Sequence, residues 1–492
     1  MSDSTEIAAA RKDKAYMIQN LYPVPGGGGL TGRPGFALVG GASAGSRGQG
    51  SGDFVKWDGT RYTVVIYSGE IYTVDWATGS TGTISRVVTT ANLTTASITL
   101  SATVRVSMLP FNNTLVISDG VNVPFTWTGA SGAGGLVKLT NCPALYGPPT
   151  VYYGKLFGIK ASNRSTFVWS EENDPTTGYE AGGYNNAWDF TQNDAEPLTR
   201  LLGTNEALYV FREDSVAVVS GAVDTEFTTT GTRAGVSEAV GTVSPWSVIY
   251  SRSTVFFLDR AGKPHMIRAG GEALPIWQDF RETIKTTVLP SNLINAVTVD
   301  YAPANLLLFG YTVSGDTYPS QFLVFNYDGP DPIAAAIWKG YTFEFVSMAY
   351  ASQLGVPRLF HIHPTSGAVY IHGHTNTATW DDFKPSSVAI QHIVETMALG
   401  GDIAGELYFD RVDWGLRSDA TTMTNVYSYT TNRGASSNQS PGAAAVAHKA
   451  LGINAHGRWI RVKVVHETVG EEFGVERVMV NAVPTTLSPT NV

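Results

Sequence analysis

The sequence predicts an all-β protein built around a closed β-propeller, and three observations lead to this fold class. Short runs of Val, Ile, Thr, Tyr, Phe and Trp are separated by Gly, Pro, Asn and Asp along most of the chain. Hairpin patterns recur at a spacing of roughly 50 residues. Helical periodicity is confined to two segments, Ile7–Gln19 and Trp277–Thr287.

The recurring unit is a hydrophobic run, a turn and a second hydrophobic run. In the first unit, Arg61–Tyr67 turns at Ser68-Gly69-Glu70 into Ile71–Trp76. The six later units begin at Thr114, Lys155, Ala207, Thr254, Leu306 and Arg358, so successive starts are 41 to 53 residues apart. A hairpin that follows a less regular pair of strands at this period is typical of propeller blades, and closing the ring removes exposed strand edges. Six or seven blades fit over residues 51–384; stacked sandwiches are the alternative.

The two ends of the chain differ from this middle. Residues 1–50 carry the possible helix and then Gly/Pro-rich tracts, so we expect an extended N-terminal arm that becomes ordered on a neighbour. Residues 385–492 contain alternating apolar and polar runs that begin at Ile390, Gly405 and Gly457. These runs predict a smaller, sandwich-like C-terminal β domain.

Composition excludes several classes of protein. Charged residues make up 15% of the 492 residues, against a usual share of about 25%, and the net charge is −9. Sequence-independent binding of duplex DNA along a basic face is therefore not expected. No apolar run is long enough for a membrane span, and the first residues lack the apolar core of a signal peptide. Because Cys142 is the single cysteine, it allows neither an internal disulfide nor a cysteine-based zinc site. We expect a soluble protein made in a reducing compartment.

One cluster has the residue types of a metal site: His361, His363, His372 and His374. With the turn at Pro364–Gly367, His363 would face Ala368 across the hairpin, and His361 would face Tyr370. His372 would then be diagonal to His361, and all four rings could share one side and bind Zn²⁺ or Ni²⁺. The simpler interpretation is a polar hairpin at the surface, so no metal is predicted.

Carboxylates suggest a glycosidase, which needs two of them across a sugar. The Asp-box of sialidase propellers has one distant counterpart, Ser118-Asp119-Gly120 followed by Thr126-Trp127, in which the spacing is stretched and which occurs only once in the sequence. A second acidic group has the pattern of a solvated loop and consists of Glu171, Glu172 and Asp174. Nucleophile-elbow, zincin, P-loop and dinucleotide-binding motifs are absent from the sequence. We therefore predict no catalytic residues, no cofactor and no enzymatic activity.

A peptide-binding sensor propeller is disfavoured because Trp188-Asp189 and Trp380-Asp381 do not follow a blade repeat.

Several short motifs occur in an order that is similar to a known family. Asn20-Leu21-Tyr22-Pro23 precedes a Gly-rich gap and Gly32-Arg33-Pro34-Gly35-Phe36. Ala207–Ala222, Gly231–Val236 and Gly241–Pro264 follow in the middle of the chain. Over residues 15–270 this order resembles the tail hub or nozzle proteins of short-tailed bacteriophages, which are also called packaged-DNA stabilisation proteins.

The resemblance implies a β-propeller subunit of a hexameric ring below the portal and its adaptor or head-completion protein. Such a ring closes or extends the DNA channel, retains the packaged genome and carries needle, tip or fibre proteins. Duplex DNA would pass through without specific binding, no membrane would be involved, and the protein would be assembled in the host cytoplasm into the phage tail. On this basis the expected assembly contacts are Leu21, Tyr22, Pro23, Arg33, Pro34, Gly35 and Phe36. A glycan-binding or glycan-degrading propeller is the alternative function.

Overall fold

The computed structural model describes residues 15–23, 29–33, 35–39, 47–76, 82–181, 184–190, 196–221, 232–237, 239–268, 271–327, 332–339, 347–353, 356–372, 381–384, 386–396, 407–417, 425–431, 434–435, 448–467 and 473–484. The N-terminal region forms four short strands, β1 (Ala15–Gln19), β2 (Leu21–Pro23), β3 (Leu30–Gly32) and β4 (Phe36–Leu38). The helix predicted over Ile7–Gln19 is therefore wrong in its described part, and residues 7–14 lie outside the described residues.

A seven-bladed propeller follows, and each of its first six blades begins with four consecutive antiparallel strands. Blades 1 to 3 contain β5 (Gly48–Val55), β6 (Arg61–Tyr67), β7 (Glu70–Asp75), β8 (Thr83–Val88), β9 (Ser107–Phe111), β10 (Thr114–Ser118), β11 (Phe125–Trp127), β12 (Leu136–Lys138), β13 (Leu145–Tyr152), β14 (Lys155–Lys160), β15 (Thr166–Glu171), β16 (Asp174–Gly178) and a further strand β17 (Ala187–Asp189). Blades 4 to 6 contain β18 (Leu198–Gly203), β19 (Leu208–Arg212), β20 (Val216–Ser220), β21 (Thr232–Ser237), β22 (Ile249–Ser251), β23 (Thr254–Leu258), β24 (Pro264–Arg268), β25 (Ala273–Pro275), β26 (Val297–Tyr301), β27 (Leu306–Tyr311), β28 (Gln321–Asn326) and β29 (Ile333–Trp338).

Blade 7 is completed by the N-terminal region. Its own strands are β30 (Ser347–Gln353), β31 (Val356–Ile362) and β32 (Val369–His372), and β4 adds the fourth by pairing antiparallel with β32. The blade count is thus seven, the upper of the two values predicted. The predicted hairpins are present in all seven blades, but they are the second and third strands of each blade; the expectation that they follow a pair of strands is wrong.

Hydrophobic cores between neighbouring blades hold the ring together. Separate clusters of buried residues join blades 1 and 2, 2 and 3, 3 and 4, 4 and 5, and 5 and 6, and a larger one joins blade 6, blade 7 and the C-terminal strands. A further cluster contains Val65 and Tyr67 of blade 1 together with Phe360 and Ile371 of blade 7. Since blades 7 and 1 share this core, the ring is closed.

The C-terminal strands form two sheets that the N-terminal strands extend. Their strands are β35 (His392–Thr396), β36 (Leu407–Arg417), β37 (Asn425–Thr431), β38 (Gly434–Ala435), β39 (His448–Gly457), β40 (Ile460–His466) and β41 (Gly474–Pro484), whereas the preceding hairpin of β33 (Asp381–Lys384) and β34 (Ser386–Ala389) extends the sheet of blade 7 beyond β4. One sheet runs β1-β35-β40-β37-β38 and continues blade 6 through β29, and the other runs β2-β3-β41-β36-β39. Their apolar faces, which include Trp414 and Val464, share one core.

Helices are few among the described residues. The α-helices are α1 (Thr90–Thr95) and α2 (Arg281–Thr287), and the 3₁₀ turns are Ala133–Gly135, Gln278–Phe280, Pro290–Asn295 and Ala302–Ala304. The helix predicted over Trp277–Thr287 is confirmed. Within the ranges given above, none of the helices has the length and apolar character needed to cross a membrane.

The two ends of the propeller carry different connections. The segments that link one blade to the next, and the turns between the second and third strands, lie at one end, which we call the linker face. The turns between the first and second strands and between the third and fourth strands lie at the other end, the opposite face.

Candidate functional site: the N-terminal clasp

Residues 15–38 tie the propeller to the C-terminal sheets, and we call their described part the clasp. Strand β1 pairs antiparallel with β35, and its last residue pairs in parallel register with Ile337 of blade 6. Strands β2 and β3 form a hairpin whose second strand continues onto β41. Together with β4 in blade 7, the clasp therefore joins two blades and both C-terminal sheets.

Asn20 is the corner of the clasp. It adopts φ +59°, a left-handed conformation that Asn tolerates better than most residues, and this conformation turns the chain from β1 into β2. Its side chain donates to the carbonyl of Gln391 at 2.8 Å and accepts from the backbone N–H of Lys339 at 2.8 Å. Its Oδ1 also accepts from Nε of Arg33 at 3.1 Å, so one amide links four segments.

Three of the residues expected at subunit contacts are instead fully buried within the chain. Leu21, Arg33 and Phe36 each have 0% of their surface exposed, and Gly35 is also buried. Tyr22 and Pro23 lie in β2, whereas Pro34 lies outside the described residues. Intramolecular packing thus encloses the side chains of Leu21, Arg33 and Phe36 within the single chain. That these residues lie at assembly contacts stays a prediction.

Four buried histidines form two pairs near the clasp, and the Arg33 charge acts on three of them, His361, His372 and His392. His361 and His372 of blade 7 share a hydrogen bond between Nδ1 and Nε2 of 3.1 Å, and Phe36 packs edge-on against His361 at 5.1 Å. His392 and His466 come from the C-terminal sheet, and their ring centroids are 5.9 Å apart. The clasp thus places one guanidinium within electrostatic reach of both histidine pairs.

Burial keeps all four rings uncharged near neutral pH. Desolvation, together with neighbouring histidines and the Arg33 charge, holds the pKa of His361 and of His392 well below the usual value. Desolvation and the Arg33 charge lower the pKa of His372 to about 3, and desolvation alone lowers that of His466 to about 4. Each ring would therefore have to gain its proton beside an existing positive charge or in a dry core.

The predicted four-histidine cluster does not form as expected. The strand register is confirmed, since His361 faces Tyr370 and His372 lies diagonal to it. However, His363 uses Nδ1 to accept from the N–H groups of Thr365 and Ser366 in its own turn, and His374 lies outside the described residues. Two of the rings are in the core, so the interpretation as a surface hairpin is wrong for His361 and His372.

The surroundings of the buried pair are unfavourable for a cation. Within the ranges that the structure describes, no group of three His, Cys, Asp or Glu side chains could hold a metal ion. The Arg33 charge acts on both His361 and His372 and would repel a bound cation as well as a proton. The pair is better suited to packing the clasp than to ligation.

The carboxylates considered for sugar cleavage lie at different ends of the propeller and are engaged in their own turns. Asp119, in the linker-face turn of blade 2, accepts from the N–H groups of Ser101, Val121 and Asn122. Glu171 and Asp174 belong to the opposite-face turn of blade 3, where Glu171 accepts from Asn186 and Asp174 from Thr176. Because of this separation, Asp119 cannot act with Glu171 or Asp174 on one glycosidic bond.

Two histidines that the sequence did not single out also belong to the site. His392 and His466 face each other because β35 and β40 are neighbours in the sheet that β1 extends. In the sequence, each of these histidines stands in its own β-strand pattern. Such a pattern predicts a strand but does not indicate which strand it will pair with.

Comparison with known proteins gives a fold likeness and no assignment. No family model and no curated protein matches the chain. BamB from Moraxella catarrhalis is 12% identical over 76% of this chain and 100% of its own, with a TM-score of 0.35. PorZ, a surface component of the type-IX secretion system of Porphyromonas gingivalis, is 8% identical over 74% of this chain and 45% of its own, with a TM-score of 0.37. YCF48 bound to a D1 peptide is 10% identical over 72% of this chain and 98% of its own, with a TM-score of 0.39.

Proposed function

We propose that this chain is a structural virion protein, the nozzle or hub subunit of a short bacteriophage tail. It would form a homohexameric ring below the portal adaptor that closes or extends the DNA channel and retains the packaged genome. The observation that carries this proposal is the order of the motifs, from Asn20–Pro23 and Gly32–Phe36 to Gly241–Pro264.

The fold supports the proposal in two ways. A subunit that withstands the pressure of packaged DNA needs a body without free sheet edges, and the seven-bladed ring is closed. The clasp joins that body to the C-terminal sheets through buried residues, so a load on one part is transmitted to the other. The proposal includes neither catalysis nor a cofactor.

The test is the mass of the purified full chain, alone and mixed with the portal–adaptor complex of the same phage, by mass photometry. We expect a hexamer in at least one of the two samples. A chain that stays monomeric in both would refute the proposal. Mixing with an adaptor from an unrelated phage is the control for non-specific association.

A glycan-binding tail protein is the second candidate, and one side chain favours it. Trp57 is 78% exposed at the tip of an opposite-face turn of blade 1, and its backbone N–H donates to Asn113 of blade 2 at 2.9 Å. An exposed indole can stack on a sugar ring. Binding of host polysaccharide by the wild type, and its loss in Trp57→Ala but not in Tyr250→Ala, would support this candidate; equal binding by both variants would contradict it.

A further inference from the structure

Arg105 makes a contact across the axis of the propeller on the linker face. It lies in the segment that leads into β9 of blade 2. Its guanidinium carbon is 3.8 Å from the ring centroid of Trp246, and its Nη1 donates to the carbonyl of Asn295 at 3.3 Å. Trp246 and Asn295 precede the first strands of blades 5 and 6, which stand opposite blade 2 in a ring of seven.

Trp246 itself lies on the inner side of the ring. Its carbonyl accepts from the N–H of Thr298 at 3.2 Å, and Thr298 belongs to β26, the innermost strand of blade 6. The free edge of an innermost strand faces the axis, because the other edge pairs with the second strand of the blade. The stacked pair of Arg105 and Trp246 is therefore placed at the mouth of the axis on this face.

The guanidinium of Arg105 has one edge without a protein partner among the described residues. Nη1 bonds to Asn295, whereas the buried Nε has no hydrogen-bond partner. Arg105 also forms no ion pair with a carboxylate in the part of the chain that the structure describes, and burial lowers the pKa of its guanidinium. Arg105 as a whole is partly buried, and a charge partly removed from water without an opposite charge is costly, so it calls for a compensating group.

A second cation stands at the same mouth. Arg47, in the segment between blades 7 and 1, donates from Nη2 to the hydroxyl of Tyr318 at 3.1 Å. The phenol of Tyr318 interacts electrostatically with Arg105 as well, so it stands close to both guanidinium groups. Two arginines that converge on one phenol form an electropositive mouth in a mildly acidic protein.

Arg200, which is buried, differs from the partly buried Arg105 in the segments that it joins. Its Nη1 donates to the backbone carbonyls of Pro148 and Pro149 in β13, the innermost strand of the neighbouring blade. Arg200 therefore bridges the neighbouring blades 3 and 4, whereas Arg105 reaches across the ring; the buried Nε of each has no hydrogen-bond partner among the described residues.

We propose that the mouth of the propeller axis on the linker face binds a small oxyanion, a carboxylate or a phosphate, on the Nε–Nη2 edge of Arg105, with Arg47 as the second cation. A planar guanidinium edge presents two parallel N–H groups, which match two oxygens of either anion. Binding would compensate the partly buried charge while the guanidinium stays stacked on Trp246. The site is independent of the proposed role in a phage tail.

The test uses the full chain and two probes, inorganic phosphate and acetate, at constant ionic strength made up with chloride. We expect the unfolding temperature of the wild type to rise with the concentration of at least one probe, because a ligand that binds only the folded state stabilises it. Titration calorimetry then gives the affinity. A larger response to phosphate identifies a phosphate site, and a larger response to acetate identifies a carboxylate site.

Three variants separate anion binding from a purely structural role. Arg105→Met should lose at least tenfold in affinity yet unfold no earlier than the wild type without anion, since it removes an uncompensated charge and can still pack on Trp246. Arg105→Lys keeps the positive charge but loses the two parallel N–H groups that allow bidentate binding, so it should bind the anion several-fold more weakly. Arg260→Gln removes an exposed arginine of the same face, 64% exposed and paired with Asp214, and should bind like the wild type.

Two results would overturn the proposal. One is a wild type that phosphate and acetate stabilise no more than chloride does. The other is an Arg105→Lys variant that binds the probes as tightly as the wild type, because the anion would then be held elsewhere. If Arg105→Met does not fold, the affinity of Arg105→Lys for the probes still tests the proposal.

Discussion

Acid should release the clasp before it unfolds the rest of the molecule. The four buried histidines of the two pairs are uncharged in the folded protein because burial, and for three of them the Arg33 charge, depresses their pKa. In the unfolded chain a histidine has a pKa of about 6.5. Between that value and the folded-state values the unfolded chain binds more protons, so the free energy of unfolding falls as the pH is lowered through about 6.5.

The magnitude follows from the number of rings. For one such histidine, lowering the pH from about 7.5 to about 5.5 reduces the free energy of unfolding by about 1.4 kcal/mol. Four rings together give about 5 kcal/mol, which is comparable to the whole stability of a typical domain, about 5–15 kcal/mol. The loss should continue towards pH 4 and 3, where His466 and then His372 gain protons in the folded state.

Urea unfolding followed by tryptophan fluorescence at about pH 7.5 and about pH 5.5 measures this loss directly. His466 stacks on Phe473 with ring centroids 4.9 Å apart, so His466→Phe removes one titrating ring while keeping an aromatic there. This variant should lose about a quarter of the pH dependence, whereas exposed His456→Gln should keep all of it. A first unfolding transition that does not move between the two pH values would refute the reasoning.

Two substitutions test the packing around the clasp by the same urea assay, and a third tests an exposed side chain of blade 1. Phe36→Ala should lower the free energy of unfolding by about 3–5 kcal/mol, because Phe36 is fully buried against blade 7, and a loss below about 1 kcal/mol would show that β4 does not anchor the blade. Gly32→Ala should cost about 1–3 kcal/mol, since its Cβ would stand 2.7 Å from Nε2 of His392, and a neutral result would mean that the ring can move aside. Trp57→Ala should change stability by less than about 0.5 kcal/mol because its side chain is 78% exposed, and a larger loss would place it in a contact that the structure does not contain.

The blades could be predicted because the residues that determine their hairpins are close together in the sequence. Arg61–Tyr67 contains the residues of one strand, and the turn at Ser68-Gly69 places its partner immediately afterwards. The same holds for Lys155–Lys160 and Leu306–Tyr311, whose bounds match the observed strands. Short-range turn chemistry therefore determines the second and third strands of each blade without knowledge of the ring.

The clasp was not predictable in this way. Ala15–Gln19 follows a run that favours a helix, but β29 and β35 supply hydrogen-bond partners from more than 300 residues away, and this pairing overrides the local preference. The register of the His361–His372 hairpin could be deduced, but its burial could not, because Phe36 covers it from the other end of the chain. The contact of Arg105 with Trp246 likewise depends on ring closure.

The clasp also sets the order in which the protein can be completed during synthesis. Strand β3 leaves the ribosome early, yet its partner β41 pairs Leu30 with Val475 and is among the last strands to be made. At about 5–20 residues per second the N-terminal strands must wait about 15 to 90 seconds for their partners. During that time β1, β3 and β4 are unpaired edges that another nascent chain could capture. Crowded polysomes would thus favour exchange of the clasp between two chains, and slow initiation would favour its closure within one.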